Sequence, residues 1–166
     1  MDERRQMRKQ NNPIPPLRFE MLSQPRYLSA IRAMISNVAQ RFGFTDTECG
    51  QIALAVDEAI CNIISHGYDK RDDGRIAVSV WPEEEPAGLR LVIEDNARQV
   101  DPTTIKSRDL DDIRPGGLGV HIIREVMNEA VYEKRPGGGM RLTLVKRIGS
   151  GKLAPLENCS TEGGRT

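Results

Sequence analysis

LAVDEAICNIISHGYD, residues 54–69, reads as a helix that is apolar enough to be buried yet carries a line of polar groups. Glu58, Asn62 and His66 stand at successive i, i+4 positions. Side chains four apart lie one above another on a helix, so the three share one face. A carboxylate, a carboxamide and an imidazole on one face of a core helix suggest the floor of a site. The remaining face, with Ile52, Val56, Ile60 and Ile63, is the core stripe.

Working outward, TDTE at 45–48 fits a capping box, with Thr45 as cap and Glu48 three residues on, and opens this helix. The helix is expected to run to about Ser65 and to be stopped by Gly67. An earlier helix begins near Pro25, with Leu28, Ile31, Ile35, Val38 and Phe42 at helical spacing, and ends at Gly43. LRFEML at 17–22 alternates as a short strand. RIAVSVW at 75–81 and LRLVIED at 89–95 alternate cleanly and predict an antiparallel hairpin across the turn PEEEPAG. An irregular stretch of about 96–116 follows. PGGLGVHIIREVMNE then opens on glycines and becomes a helix. AVYEKR and MRLTLVKR are two more strands, joined by PGGG. The order β-α-α-β-β-loop-α-β-β does not alternate strand and helix as a doubly wound fold does. It predicts an α+β two-layer sandwich, a mostly antiparallel sheet with three helices on one face. The polar residues 1–16 and the patternless 149–166 are expected to be flexible tails flanking a domain at 17–148.

Composition narrows the function. The chain has 166 residues, 29% of them charged and 38% hydrophobic, and Lys+Arg and Asp+Glu both count 24. That balance gives no basis for nucleic-acid binding through counterion release. No apolar run approaches a membrane span, and the charged MDERRQMRKQ leads into no apolar signal-peptide core, so the expected compartment is the cytoplasm. Cys49, Cys61 and Cys159 are odd in number and form no CxxC pair, which argues against a disulfide framework or zinc site. Cys61, on the apolar side of the helix, is expected to be a small buried hydrophobe.

The polar elements have a shared chemistry. Glycines entering a helix N-terminus let free N–H groups approach a phosphate, although GGLG is neither a Walker A loop nor a dinucleotide fingerprint. An Asn near a carboxylate can hold Mg²⁺ together with phosphate oxygens. A Glu beside it can take a proton from an attacking hydroxyl. Asp95, at a strand end in IEDNARQVDP, can accept a hydrogen bond from an exocyclic amine.

In this order the motifs resemble the GHKL (Bergerat-fold) ATPases, and among them the anti-sigma-factor serine/threonine kinases of bacterial partner-switching modules. DEAICNIISHGYD is similar to the family's N-box, EDNARQVDP to its G1 box and RPGGLGVHII to its G2 box. The resemblance covers about residues 17–147. It implies that Glu58 is the general base, that Asn62 ligates Mg²⁺ and that Asp95 reads the adenine amine of ATP. Ala97, Gly116, Gly117, Leu118, Gly119 and Val120 are implied at the nucleotide, with residues 98–116 as the lid. It implies phosphorylation of a STAS-domain antagonist, sequestration of a sigma factor or other target, and a homodimer. Arg32 falls where the family commonly has a partner-contacting Arg, a place a solvated helix charge fills equally well. His66 is expected to orient the helix end or border the nucleotide, and His121 to pack or meet solvent.

Two positions depart from the family pattern. Ala97 replaces a Gly two residues after the Asp, which costs affinity if the backbone there needs positive φ. Met140 and Arg141 stand where a Thr often helps to fix adenine, and Thr143 lies further along the strand. These departures keep open a second reading, a sequestering module with little kinase activity. A histidine-kinase catalytic domain is disfavoured, because no H-E or H-D phosphoacceptor motif precedes residue 54.

Overall fold

The computed structural model describes residues 17–105 and 118–149. In chain order these are β1 (Leu17–Leu22), α1 (Leu28–Arg41, led in by a 3-10 turn at Pro25–Tyr27) and α2 (Asp46–Asn62). A π-helical turn (Ile63–Gly67) follows, then β2 (Arg75–Glu84) and β3 (Ala87–Asp95). A short 3-10 turn (Pro102–Thr104), α3 (Gly119–Val126), β4 (Glu129–Lys134) and β5 (Met140–Arg147) complete the order. The five strands lie in the order β1-β2-β3-β5-β4, and every neighbouring pair is antiparallel. The α+β two-layer sandwich expected from the element order is the fold observed.

Strand alternation decides which face takes the helices. Ile76, Val78 and Val80 of β2 and Leu89, Leu91 and Ile93 of β3 are buried in one core with Ile35 of α1, Ile52, Val56 and Ile60 of α2, and Ile123 of α3. Each fully buried aliphatic side chain of this kind contributes roughly 1.5–3 kcal/mol. The alternate residues, among them Arg18, Ser79, Glu94 and Arg141, lie on the other face. There the three arginines Arg18, Arg135 and Arg141 converge on Glu94, with Arg141 donating through both Nε and Nη2 at 3.0 and 2.9 Å.

The helix ends follow their local chemistry. Thr45 caps α2 in a full capping box, its hydroxyl accepting from Glu48 N–H at 3.3 Å and its own N–H donating to Glu48 Oε2 at 2.9 Å. Such a cap contributes about 1 kcal/mol. Gly43, at φ +88°, ends the preceding helix. At the far end of α3, Lys146 is 1% exposed and donates from Nζ to the carbonyl of Val126 at 2.8 Å. A buried ammonium there satisfies a terminal carbonyl and meets the negative end of the helix dipole.

Two expectations need correction. PEEEPAG is not a loop: the ladder runs on through Pro82↔Leu89, Glu83↔Gly88 and Glu84↔Ala87, leaving the cis Glu85–Pro86 pair as the connection. The described pairing with β1 ends at Leu17↔Val80, so among the described residues Pro82 denies no donor to a strand on that side. The hairpin is held by Arg147, which pairs with Glu83 and donates to Pro86 O at 3.1 Å. Nor does Gly67 turn the chain by glycine geometry. The α-helix gives way to the π-helical turn at Ile63, with Tyr68 N–H reaching Ile63 O at 2.9 Å, and the left-handed residues are Asp69 (φ 50°) and Lys70 (φ 64°).

Candidate functional site

A cavity of about 300 Å³ opens between the C-terminal end of α2, the exit of β3, α3 and the ends of β4 and β5. Asn62, Ile63 and His66 line it from the helix side, Asp95, Ala97, Val100 and Ile105 from the segment after β3, and Tyr132, Met140 and Leu142 from the last two strands. Most of this wall is apolar, and among the described residues Asp95 is its one carboxylate.

Asp95 ends β3 and is 4% exposed. Its Oδ1 accepts from Ala97 N–H at 2.8 Å and Met140 N–H at 3.2 Å. Among the described residues nothing donates to Oδ2. Burial pushes this carboxyl above the ordinary aspartate range, against the two N–H donors and the charge of Arg135. A carboxylate with one oxygen anchored and the other unpaired in an apolar cavity is suited to accept a ligand N–H.

The peptide around Asp95 is held by the β4–β5 turn. Arg135 donates from Nη1 to Asp95 O at 2.6 Å and to Asn96 Oδ1 at 2.8 Å. Gln99 donates back to the turn, to Arg135 O at 2.7 Å and Gly139 O at 3.1 Å. Gly139 has φ +77°, and a Cβ on it would fall 1.9 Å from Asp95 O, so only glycine permits this approach. Below, the Tyr68 hydroxyl donates to Arg75 O at 2.6 Å and accepts from Asn96 N–H at 2.9 Å. It joins the turn after α2 to both neighbouring strands.

The departures at Ala97 and Met140 resolve in geometric terms. Ala97 is not among the positive-φ residues, so a methyl there carries no conformational cost. Space for it comes from across the cavity floor: a Cβ on Gly67 would lie 2.9 Å from the Ala97 methyl. Met140 supplies its backbone N–H to the carboxylate and its side chain to the wall. Thr143 pairs with Val92 and Val131 and alternates onto the sheet face away from the helices, which places it out of reach of the cavity.

Glu58, Asn62 and Gly119 meet at the α2–α3 contact. A Cβ on Gly119, the first residue of α3, would be 2.7 Å from Glu58 Oε2 and 3.2 Å from Asn62 Nδ2. The glycine lets the first turn of α3 lie directly on these two side chains. Asn62 lines the cavity, whereas Glu58 stands beside it. His66 is exposed on the π-helical turn and borders the cavity; His121 is half-buried. Val120 faces the cavity and Leu118 is exposed. Gly116 and Gly117, and positions 106–116 of the expected lid, lie outside the described residues. In the described start of the expected lid, Asp101 Oδ1 accepts from Thr103 N–H and hydroxyl at 2.9 and 2.8 Å. Arg124 of α3 donates to Ile105 O at 2.9 Å and ties that part to the helix.

Cys61 is half-buried rather than buried. Burial, with the carboxylates of Asp57 and Glu58 beside it, pushes its thiol up and away from reactivity. Arg32 reaches Asp57 at 3.4 Å. Arg135, Gln99, Gly139 and Tyr68 are site-building residues to which motif reading gave no role. The PGGG turn signals Gly139 and its neighbour Arg135, and Tyr68 and Gln99 fall within the N-box and G1 stretches, but the contacts that give them these roles are long-range. No helix among the described residues is long and apolar enough to cross a membrane.

A family model described as the histidine kinase-like ATPase domain matches residues 21–146. The chain is 30% identical over 125 residues to the serine-protein kinase RsbW of Staphylococcus aureus, covering 70% of this chain and 78% of that one. It is 26% identical over 136 residues to the serine-protein kinase RsbW of Bacillus subtilis, covering 76% and 83%. Among solved structures, it superposes on the RsbU and RsbW domains of Rv1364c from Mycobacterium tuberculosis with a TM-score of 0.58 at 20% identity. That match covers 82% of this chain and 32% of the longer one. It also superposes on the SiaB–SiaC complex structure from Pseudomonas aeruginosa with a TM-score of 0.57 at 15% identity, covering 89% and 99%. These structural likenesses speak to the fold. Family model and relatives together establish the lineage: the chain belongs to the histidine kinase-like ATPase family and, within it, to the RsbW-type serine-protein kinases.

Proposed function

We propose that the domain at 17–148 binds Mg-ATP in the cavity beside Asp95 and transfers the γ-phosphoryl group to a serine or threonine of a small STAS-domain antagonist. In the same reading the chain acts in the cytoplasm as a homodimer and sequesters a sigma factor or another target. The observation that carries the reading is the half-anchored Asp95 in an apolar cavity, a few residues in space from the Glu58–Asn62–Gly119 contact.

The residues divide the work. Asp95 Oδ2 accepts from the exocyclic amine of adenine, and Ala97, Met140 and Leu142 pack on the base. Asn62 holds Mg²⁺ by its side-chain oxygen, and the backbone from Gly116 to Val120 approaches the phosphates. When bound, Mg²⁺ neutralises charge on the phosphate oxygens, which phosphoryl transfer needs more than covalent help. Glu58 takes the proton from the acceptor hydroxyl. The hydroxyl oxygen bonds to phosphorus as the bridging bond to the β-phosphate breaks, and ADP leaves.

Calorimetric titration with Mg-ATP, on wild type and on Asp95→Asn, tests the site. Binding to wild type that is lost in the variant is the expected result. No binding to wild type would end the kinase reading in favour of a nucleotide-independent sequestering module. Glu58→Gln is expected to abolish transfer while leaving nucleotide and partner binding in place.

A further inference from the structure

We propose that Arg135 is a positioning residue for the base-reading carboxylate: from the β4–β5 turn it clasps the Asp95–Asn96 corner and keeps Asp95 charged and aimed at the ligand amine. This rests on the reading of Asp95 given above.

The geometry is specific. The Arg135 side chain is 28% exposed, so its charge is largely out of water. Nη1 donates to the carbonyl of Asp95 itself at 2.6 Å and to Asn96 Oδ1 at 2.8 Å, spanning the two residues where the strand leaves the sheet. Nε faces Glu94 at 3.5 Å, which directs the guanidinium plane along the strand end. The same turn presents Met140 N–H to Asp95 Oδ1 and fits against the Asp95 peptide through Gly139. Backbone contacts at Gly139 and Met140 fix where the turn sits. Arg135 alone adds charge there.

Charge is what a buried carboxylate lacks. Burial disfavours the ionised Asp95, and the N–H groups of Ala97 and Met140 and the Arg135 charge oppose that. Among the described residues, the other titratable or charged groups around the corner are Tyr68 beneath it, His66, Arg98 and Tyr132 at the cavity, and Glu94 with Arg18 and Arg141 across the sheet. Arg135 is the cation bonded to the Asp95 peptide. Protonating Asp95 places a hydrogen on an oxygen that has to accept one, so amine recognition fails on the acid side. Removing the Arg135 charge moves that failure toward neutral pH.

The test is Mg-ATP affinity of the full chain from about pH 5 to 8. Wild type, Arg135→Lys, Arg135→Gln, Asp95→Asn and the Asp95→Asn/Arg135→Gln double variant are compared, each checked for a cooperative melt. Arg135→Gln keeps a donor and removes the charge. It is expected to weaken binding at neutral pH roughly tenfold and to move the acid midpoint up by about one pH unit. Arg135→Lys restores the charge and is expected to keep the midpoint near wild type. Asp95→Asn is expected to lose binding across the whole range, with or without the Arg135→Gln change. Titration of the nucleotide phosphates is common to all variants and cancels. If Arg135→Gln weakens binding equally at every pH, or not at all, while Asp95→Asn loses binding, the clasp is structural and the proposal falls alone. If Asp95→Asn binds as wild type, the reading of Asp95 falls and takes this proposal with it.

Discussion

Gly119 presses so closely on Glu58 that a Cβ on the glycine would lie 2.7 Å from the carboxylate oxygen Oε2. The intruded group is the tip of a flexible side chain, so Gly119→Ala can be accommodated by moving Glu58 aside. Stability is expected to hold or to rise by up to about 1 kcal/mol, as for other helix Gly→Ala changes. Phosphoryl transfer is expected to fall about a hundredfold, because a small misplacement of a reacting group costs that much. A thermal melt and a transfer assay on the same preparation check both halves.

Gly139→Ala makes the opposite case. The added carbon meets backbone, 1.9 Å from Asp95 O, and the residue sits at φ +77°. Neither conflict has a flexible partner to absorb it. A loss of roughly 2–4 kcal/mol is expected from the left-handed backbone and the overpacking together. Urea unfolding with an unchanged slope and a lower midpoint would register it.

Tyr68→Phe removes one hydroxyl and two hydrogen bonds, to Arg75 O and from Asn96 N–H. The ring still packs, so the cost is that of polar groups left unpaired beside a buried ring, about 1–3 kcal/mol. Since Asn96 follows Asp95, nucleotide affinity is expected to weaken as well. Chemical denaturation and Mg-ATP calorimetry measure the two effects separately.

Neighbouring carboxylates on β3 answer acid in opposite ways. For Glu94, burial works against the charge, but Arg141, Arg135 and Arg18 outweigh it and hold the carboxyl below its usual value. Stability from a depressed carboxyl is complete above the unfolded value, about 4.3, and is lost as pH falls through the folded one. Wild type is therefore expected to lose stability below about pH 4. Glu94→Gln is expected to melt earlier at pH 7 and to lose less on acidification, because its arginines no longer release a paired carboxylate. For Asp95 the carboxyl is raised by burial, so its protonation favours the folded state while it disfavours amine recognition. Melting curves across the acid range separate the two signs.

Much of the architecture was legible because it rests on periodicities that sequence carries locally. The period-2 runs of β2, β3 and β5, the helical spacing of Ile52, Val56 and Ile60, and the Thr45–Glu48 box each specify an element within a dozen residues. The N-box and G2 motifs pointed to Glu58, Asn62 and Gly119, which meet at the α2–α3 contact. What stayed hidden is long-range or conformational. Pro82 reads as a breaker until its place beyond the last described β1 pair, at Val80, is known. Lys146 reads as a strand-end charge, and only the fold brings it beneath the last carbonyl of α3. Arg135 reads as the charged end of a strand and Gln99 as a solvated loop residue, yet Arg135 binds the Asp95 carbonyl and Gln99 binds the turn that carries Arg135. The π-helical turn leaves no mark in hydropathy, because widening a helix by one residue per turn preserves which side is apolar over so short a stretch.

The Gly67–Ala97 contact has a consequence for how such a sequence can change. The two positions hold one methyl between them, and a second would bring carbon to within 2.9 Å of carbon. A Gly67→Ala change is closed to the chain while Ala97 stands, and opens once Ala97→Gly has occurred. The order of substitution is fixed, and the two sites form a reciprocal pair whose joint effect is not the sum of the parts. The methyl of Ala97 occupies the space that a side chain on Gly67 would need.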